Sequence, residues 1–199
     1  MTRFVVTVIV LGALAAASWF MLPVWGVAIA GSKHLSQKEL AKMAGAMPGS
    51  PWLWVNGWRT RDLQENPWIV KAEVIKHFPG RVEIRVTERE PFAVYAAPNS
   101  EKVVVARDGV VLPNSNHIPK LEISGWGEPR LTESLQVAAI LGADGLERVE
   151  FSPQGFTVFT NRGQIWTDSY KSLLRYGKSV KITQGSRVSV YPWGVSAQP

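Results

Sequence analysis

Asn66-Pro67-Trp68-Ile69-Val70-Lys71-Ala72-Glu73-Val74, then Phe78-Pro79-Gly80, then Val82-Glu83-Ile84-Arg85-Val86-Thr87-Glu88-Arg89-Glu90-Pro91: this stretch reads as two strands joined by a turn. Val70, Ala72 and Val74 alternate with Lys71 and Glu73, and Val82, Ile84 and Val86 alternate with Arg81, Glu83 and Arg85. A period of two places each apolar set on one sheet face and the charges on the other. Pro79-Gly80 supplies the turn. Asn66-Pro67 closes whatever comes before, because a residue preceding proline is pushed out of the helical region.

Upstream, Thr60 to Glu65 reads as a short helix, preceded by a loop at Pro48, Gly49 and Pro51 and by Trp52, Trp54 and Trp58. Ser36-Gln37-Lys38-Glu39 is a capping-box pattern, in which the hydroxyl and the carboxylate satisfy each other's backbone donors. The helix it opens carries Leu40, Met43 and Ala44 on one face and stops at Gly45. Val24 to Ala30 is an apolar run closed by Gly31-Ser32, as a buried strand would be. The predicted order over 24–91 is strand, helix, helix, strand, strand, with both helices on one face of the sheet.

Residues Phe4 to Leu22 carry no charge, and Arg3 stands immediately before them. As a helix this run rises roughly 28 Å, close to the hydrocarbon thickness of a bilayer. The positive flank keeps residues 1–3 in the cytoplasm, and Pro23 ends the helix. A cleaved signal peptide is the competing reading, with Val5 to Leu14 as its core and Ala15-Ala16-Ala17-Ser18 as the cut site. The continuation through Trp19-Phe20-Met21-Leu22 favours an anchor over 4–22. Either way the remainder leaves the cytoplasm.

Downstream of Pro91 the texture is mostly β. Phe92 to Ala96 and Lys102 to Ala106 read as strands, and Asp108-Gly109 as a hairpin turn into Val110-Val111-Leu112. Thr132 to Leu141 is a helix. Leu146 to Phe151, Phe156 to Thr160 and Gln164 to Thr167 are strands, Tyr170 to Lys178 a helix, and Arg187 to Tyr191 the final strand. The fold class is therefore α+β: an N-terminal transmembrane helix, a β-α-α-β-β module, and a mixed β-rich domain over 92–199 with helices on its sheet.

Composition narrows the function classes. With no cysteine among 199 residues, disulfides, thiolate metal sites and cysteine nucleophiles are excluded. The formal charge of +6 comes from Lys and Arg interleaved with acids, without the basic stripe of a nucleic-acid site. The three histidines, His34, His77 and His117, share no metal-ligand spacing. Gly-x-Ser-x-Gly, Walker-type and dinucleotide glycine patterns are absent. Glu88-Arg89-Glu90 puts two carboxylates on one strand face, but acid–base catalysis needs a cleft that drives their pKa values apart. The cluster reads as a salt-bridged join between two domains. No catalytic, metal or cofactor residue is expected, and the chain is not expected to be an enzyme.

The quoted stretch resembles the FtsQ/DivIB family of bacterial cell-division proteins, whose POTRA module shows NPWV-x-x-A-x-V, an aromatic-Pro turn, then I-x-V-x-E-R-x-P. Gly31 to Ser36 and Asp108-Gly109-Val110-Val111-Leu112 fit the same layout. The resemblance implies a single-pass protein of the bacterial cytoplasmic membrane, its N-terminus inside, located at the division septum. It implies partners of FtsL and FtsB/DivIC type, with other septal proteins as further candidates, a role in regulating septal wall synthesis, and neither nucleic acid nor small-molecule substrate. It further implies that the last strand is an open edge to which a partner adds a strand, carried here by Arg187, Val188, Ser189, Val190 and Tyr191 with Trp193 and Gly194. This strand lacks the D-x-R-like run common in the family, and Pro192 limits its ladder. Trp19 and Trp25 suit a membrane boundary, and Trp193 suits an interface. Two other classes remain open: a POTRA-bearing transport or secretion component, and an exported hydrolase or polymer-binding module.

Overall fold

The computed structural model describes the backbone of residues 2–55, 58–98, 100–142, 145–177 and 184–198. It contains two compact units, Met1–Arg89 and Glu90–Pro199.

The first unit begins with helix α1 (Thr2–Met21). The described apolar side chains near its start, including Phe4, Val5, Val6 and Ile9, are all more than half exposed. Some side chains of the expected span, such as Leu11, Leu14 and Trp19, lie outside the described residues. Among the described residues no helix is long and apolar enough to cross a membrane.

After α1 come β1 (Gly26–Ala30), α2 (Gln37–Met43), a 3-10 turn (Trp52–Trp54), α3 (Trp58–Gln64), β2 (Ile69–His77) and β3 (Arg81–Glu88). The sheet order is β1-β3-β2, with β1 parallel and β2 antiparallel to β3. The alternation seen in the sequence sends Ala72, Val82, Ile84 and Val86 inward to one cluster with Leu40, Ala44 and Leu63. The capping box forms: the Glu39 N–H donates to the Ser36 hydroxyl, and the Ser36 N–H donates to the Glu39 carboxylate, each at 3.2 Å. The strand expected from Val24 starts two residues later. Val24 is buried and exchanges backbone hydrogen bonds with the 49–50 loop, donating to Ser50 O and accepting from Gly49 N–H, so it belongs to that loop and not to the ladder.

The Glu88-Arg89 pair works mainly on backbone. The Glu88 carboxylate accepts from the N–H groups of Lys33, His34 and Leu35 at 3.0, 2.7 and 3.2 Å. Arg89 donates to the carbonyls of Pro67 and Ile69 at 2.9 and 2.6 Å. Both hold chain inside the first unit.

The second unit carries an eight-stranded sheet. Its strands are β4 (Pro91–Ala96), β5 (Val103–Ala106), β6 (Glu122–Gly125), β7 (Leu146–Ser152), β8 (Gly155–Thr160), β9 (Gly163–Thr167), β10 (Ser186–Tyr191) and β11 (Gly194–Gln198), with helices α4 (Leu131–Leu141) and α5 (Tyr170–Tyr176). The spatial order is β11-β10-β9-β8-β7-β6-β4-β5. Leu135, Val137 and Ala138 of α4 and Leu173 of α5 share one core with Val149, Phe151, Phe156, Val158, Ile165, Val188 and Val190. Phe151 and Phe156 face each other across β7 and β8, both buried. Burying a side chain of this size contributes about 1.5–3 kcal/mol.

Three expectations change. Val110 to Leu112 is not a strand; it returns along β5 through one bridge, Val105 to Val111, before Pro113 stops it. β6 and β11 were not read from the sequence. The helix expected to reach Lys178 ends at Tyr176, and Lys178 lies outside the described residues.

Candidate functional site

An exposed sheet edge offers a row of unpaired backbone groups, so the two ends of the large sheet are the places to look. At the β5 end the returning chain covers the edge: Ala106 N–H donates to Val110 O at 2.9 Å and Leu112 N–H to Val104 O at 2.8 Å. At the other end β11 has β10 on one side, and no described strand pairs on its other side.

The residues predicted to form the open edge, Arg187 to Tyr191, make up most of β10, which lies one strand in. β10 pairs in parallel with β9 (Arg187 with Gln164 through Val190 with Thr167) and antiparallel with β11 (Arg187 with Gln198 through Tyr191 with Gly194). Its two ladders are taken. The reason lies at Pro192. Instead of ending the ladder, Pro192 and Trp193 form a two-residue turn, and the chain resumes as β11. The turn is held from α5, where Arg175 and the Tyr176 hydroxyl donate to Pro192 O at 3.3 and 3.4 Å.

Side-chain alternation divides the predicted set. Val188 and Val190 are core, 2% and 0% exposed, and are not surface contacts. Arg187, Ser189 and Tyr191 point to the opposite face. There Tyr191 stacks on Trp193 at 5.0 Å and 12°, and meets Trp166 of β9 at 5.3 Å. Trp193 is 78% exposed and Val195 is 38% exposed. A Cβ added to Gly194 would meet nothing within 4 Å, so open space lies beside the turn.

The ladder fixes which β11 groups face outward. Tyr191 and Gly194 pair across a turn whose first residue, proline, has no N–H, so the closing bonds are their own. In an antiparallel ladder bonded and non-bonded pairs alternate, which turns the N–H and C=O of Val195 and Ala197 away from β10. The sequence signal for this strand was slight: Trp193-Gly194 after a proline, followed by a single valine.

Among the described residues no group of three or more His, Cys, Asp or Glu could hold a metal ion.

Residues 22–89 match the family described as POTRA domain, FtsQ-type. The chain is 39% identical over 87 residues to a cell division protein FtsQ of Bradyrhizobium diazoefficiens, covering 43% of this chain and 25% of that protein. It is 32% identical over 156 residues to a cell division protein FtsQ of a Geobacter species, covering 67% of this chain and 56% of the relative. The chain belongs to the FtsQ/DivIB family. A third FtsQ, from Myxococcus fulvus, is 27% identical over 69% of this chain and 55% of its own length. The matched part thus spans from a quarter to a little over half of these FtsQ proteins. Within the FtsQ-type POTRA module, Glu88 and Arg89 capture backbone at 33–35 and 67–69.

Proposed function

We propose that this chain is a non-enzymatic scaffold of bacterial cell division, anchored by α1 in the cytoplasmic membrane at the septum with residues 1–3 inside. Outside the membrane it links FtsL- and FtsB/DivIC-type partners and helps regulate septal wall synthesis. The anchor is supported by the uncharged run Phe4 to Leu22 and by the exposed apolar side chains of α1. The domain division expected from the sequence is residues 4–22 for the anchor, 24–91 for the POTRA module and 92–199 for the β-rich domain, while the compact units divide between Arg89 and Glu90.

One observation carries the partner reading. Among the described residues of the large sheet the uncovered edge is β11, and it adjoins an aromatic stack ending in the exposed Trp193. A partner segment added to β11 would take backbone bonds from Val195 and Ala197 and side-chain contact from Trp193 and Tyr191. The segment first predicted, Arg187 to Tyr191, then serves as the strand that supports the edge.

The test is co-purification of the full chain with an FtsB/DivIC-type partner from membranes, with thermal unfolding as the control for folding. Trp193→Ala is expected to weaken capture by about thirtyfold, as loss of a central aromatic anchor does. Val195→Pro removes one outward donor without touching the β10 ladder, and is expected to reduce capture as well. Undiminished capture by both folded variants would remove the β11 edge from the mechanism.

A further inference from the structure

The exit of α1 is clasped by two loops. Trp52 N–H donates to Leu22 O at 2.8 Å, Val24 N–H to Ser50 O at 2.7 Å, and Trp25 N–H to Gly80 O at 3.0 Å. The β2–β3 turn closes so tightly on Trp25 that a Cβ on Gly80 would lie 2.3 Å from the indole ring. These loops carry four exposed apolar side chains: Phe78 at 75%, Trp25 at 56%, Trp54 at 49% and Leu53 at 44%.

Cations are interleaved with this rim. The Arg81 guanidinium sits 4.6 Å from the centroid of the Trp25 ring, and Lys76 sits 4.7 Å from that of Trp52 while donating to the carbonyls of Trp52 and Leu53. Phe78 packs edge-on against Trp52 at 5.9 Å. Between Trp25 and Phe78 lies an open groove of about 580 Å³, floored by Gly26 and Ala28 and flanked by His77 and Arg81. At this end of the hairpin Lys76 and Arg81 face one carboxylate, Glu83, which His77 and Arg85 already engage, while Arg85 also lies opposite Glu73.

We infer that this aromatic and cationic tip is a second membrane contact, seating the POTRA module on anionic phospholipid. The inference rests on α1 being a membrane span. Three residues separate Met21 from Trp25, a reach of at most about 14 Å. A headgroup layer is roughly 5–8 Å deep on each side of the hydrocarbon. The bonds to Leu22, Val24 and Trp25 therefore keep both loops within or beside that layer. Indole and phenyl groups ringed by Lys and Arg suit that environment, because the rings enter the interface while the cations meet lipid phosphates.

The absence of cysteine allows single labels in the full chain. Phe78→Cys carries a bimane in place of the phenyl ring, Val70→Cys a bimane at the far end of β2, and Ala13→Cys one in the middle of α1. Each protein is reconstituted in vesicles of phosphatidylethanolamine and phosphatidylglycerol containing lipids with shallow or deep nitroxides. The label at 78 is expected to be quenched by the shallow nitroxide at least threefold more than the label at 70. That excess is expected to halve or better with Arg81→Glu or when phosphatidylcholine replaces phosphatidylglycerol. Equal quenching at 70 and 78, with position 13 quenched by the deep nitroxide, overturns this inference and leaves the anchor intact, and the tip would then be free for a protein partner. Quenching at 78 with none at 13 overturns the anchor and leaves the surface contact standing. Quenching at neither position overturns both.

Discussion

The two units solve the same problem, a sheet covered by helices on one face, in different ways. In the first, a three-stranded sheet is held by side chains that satisfy irregular backbone: Glu88 on the 33–35 loop, Arg89 on 67–69, Trp52 on the carbonyl of Arg81 and Lys76 on the 3-10 turn. In the second, eight strands are held mainly by their own ladders and by alternating apolar residues. Irregular backbone needs a particular donor or acceptor at a particular place, because a buried unsatisfied group is costly. A regular ladder accepts many side chains. The first unit is accordingly the part of the chain with the more specific sequence.

The contrast can be broken most sharply at a glycine. Gly31 has φ +88°, and a Cβ there would lie 2.0 Å from the carbonyl oxygen of Val86. Gly31→Ala combines a left-handed alanine with a clash against backbone, and is expected to cost about 3 kcal/mol or more in denaturant unfolding. Glu88→Ala is the next largest: it strips the acceptor from three backbone N–H groups and is expected to cost roughly 2 kcal/mol. A cost within about 0.5 kcal/mol would mean that water replaces the carboxylate and that the motif is not what secures the first unit.

Acid sharpens the same comparison more gently. In the first unit three carboxylates are held below their ordinary value of 4.5: Glu39 by the Ser36 hydroxyl, Glu73 by Lys71, and Glu83 by Arg85 and then His77. Because their folded pKa values are depressed, their contribution is fully present above the unfolded value and is lost as pH falls through the lowered folded values. Glu39 and Glu73 are exposed and Glu83 is half-buried at the surface, so the effect is small. Hydrogen exchange at pH 3 is expected to show a greater loss of protection in β2 and β3 than in β7 and β8. The smallest effect belongs to Gly194→Ala, where open space and an ordinary backbone predict a change within about 0.5 kcal/mol.

How far the fold could be read from the sequence follows the same division. The helices of the first unit announced themselves through the Ser36-to-Glu39 box and Asn66-Pro67, and its hairpin through strict alternation around Pro79-Gly80. Of the second unit, β7, β8 and β9 were legible because valine, isoleucine and phenylalanine alternate between turn residues. β6 was not, because Glu122-Ile123-Ser124-Gly125 has a single buried apolar side chain and its place depends on parallel neighbours far away in the chain. Val110-Val111-Leu112 turns back along β5 after Asp108-Gly109 as the sequence predicts, with one bridge in place of a full strand. At the candidate site the sequence reads Arg187 to Tyr191 as the last strand, whereas β11 lies beyond it in the sheet. Gly194-Val195-Ser196-Ala197-Gln198 buries almost nothing, so it has no hydrophobic period to read.

The parallel pairing of β1 with β3 has a mechanical consequence. The chain enters β1 four residues after α1, and it leaves β3 at Glu88, three residues before the second unit's first strand. A pull between α1 and the second unit therefore draws on the start of β1 and the end of β3, two parallel neighbours loaded from opposite ends. The five registered pairs from Gly26–Arg81 to Ala30–Arg85 then resist together in shear, whereas strands pulled apart from one end would open pair by pair. The first unit would therefore resist such a pull in shear.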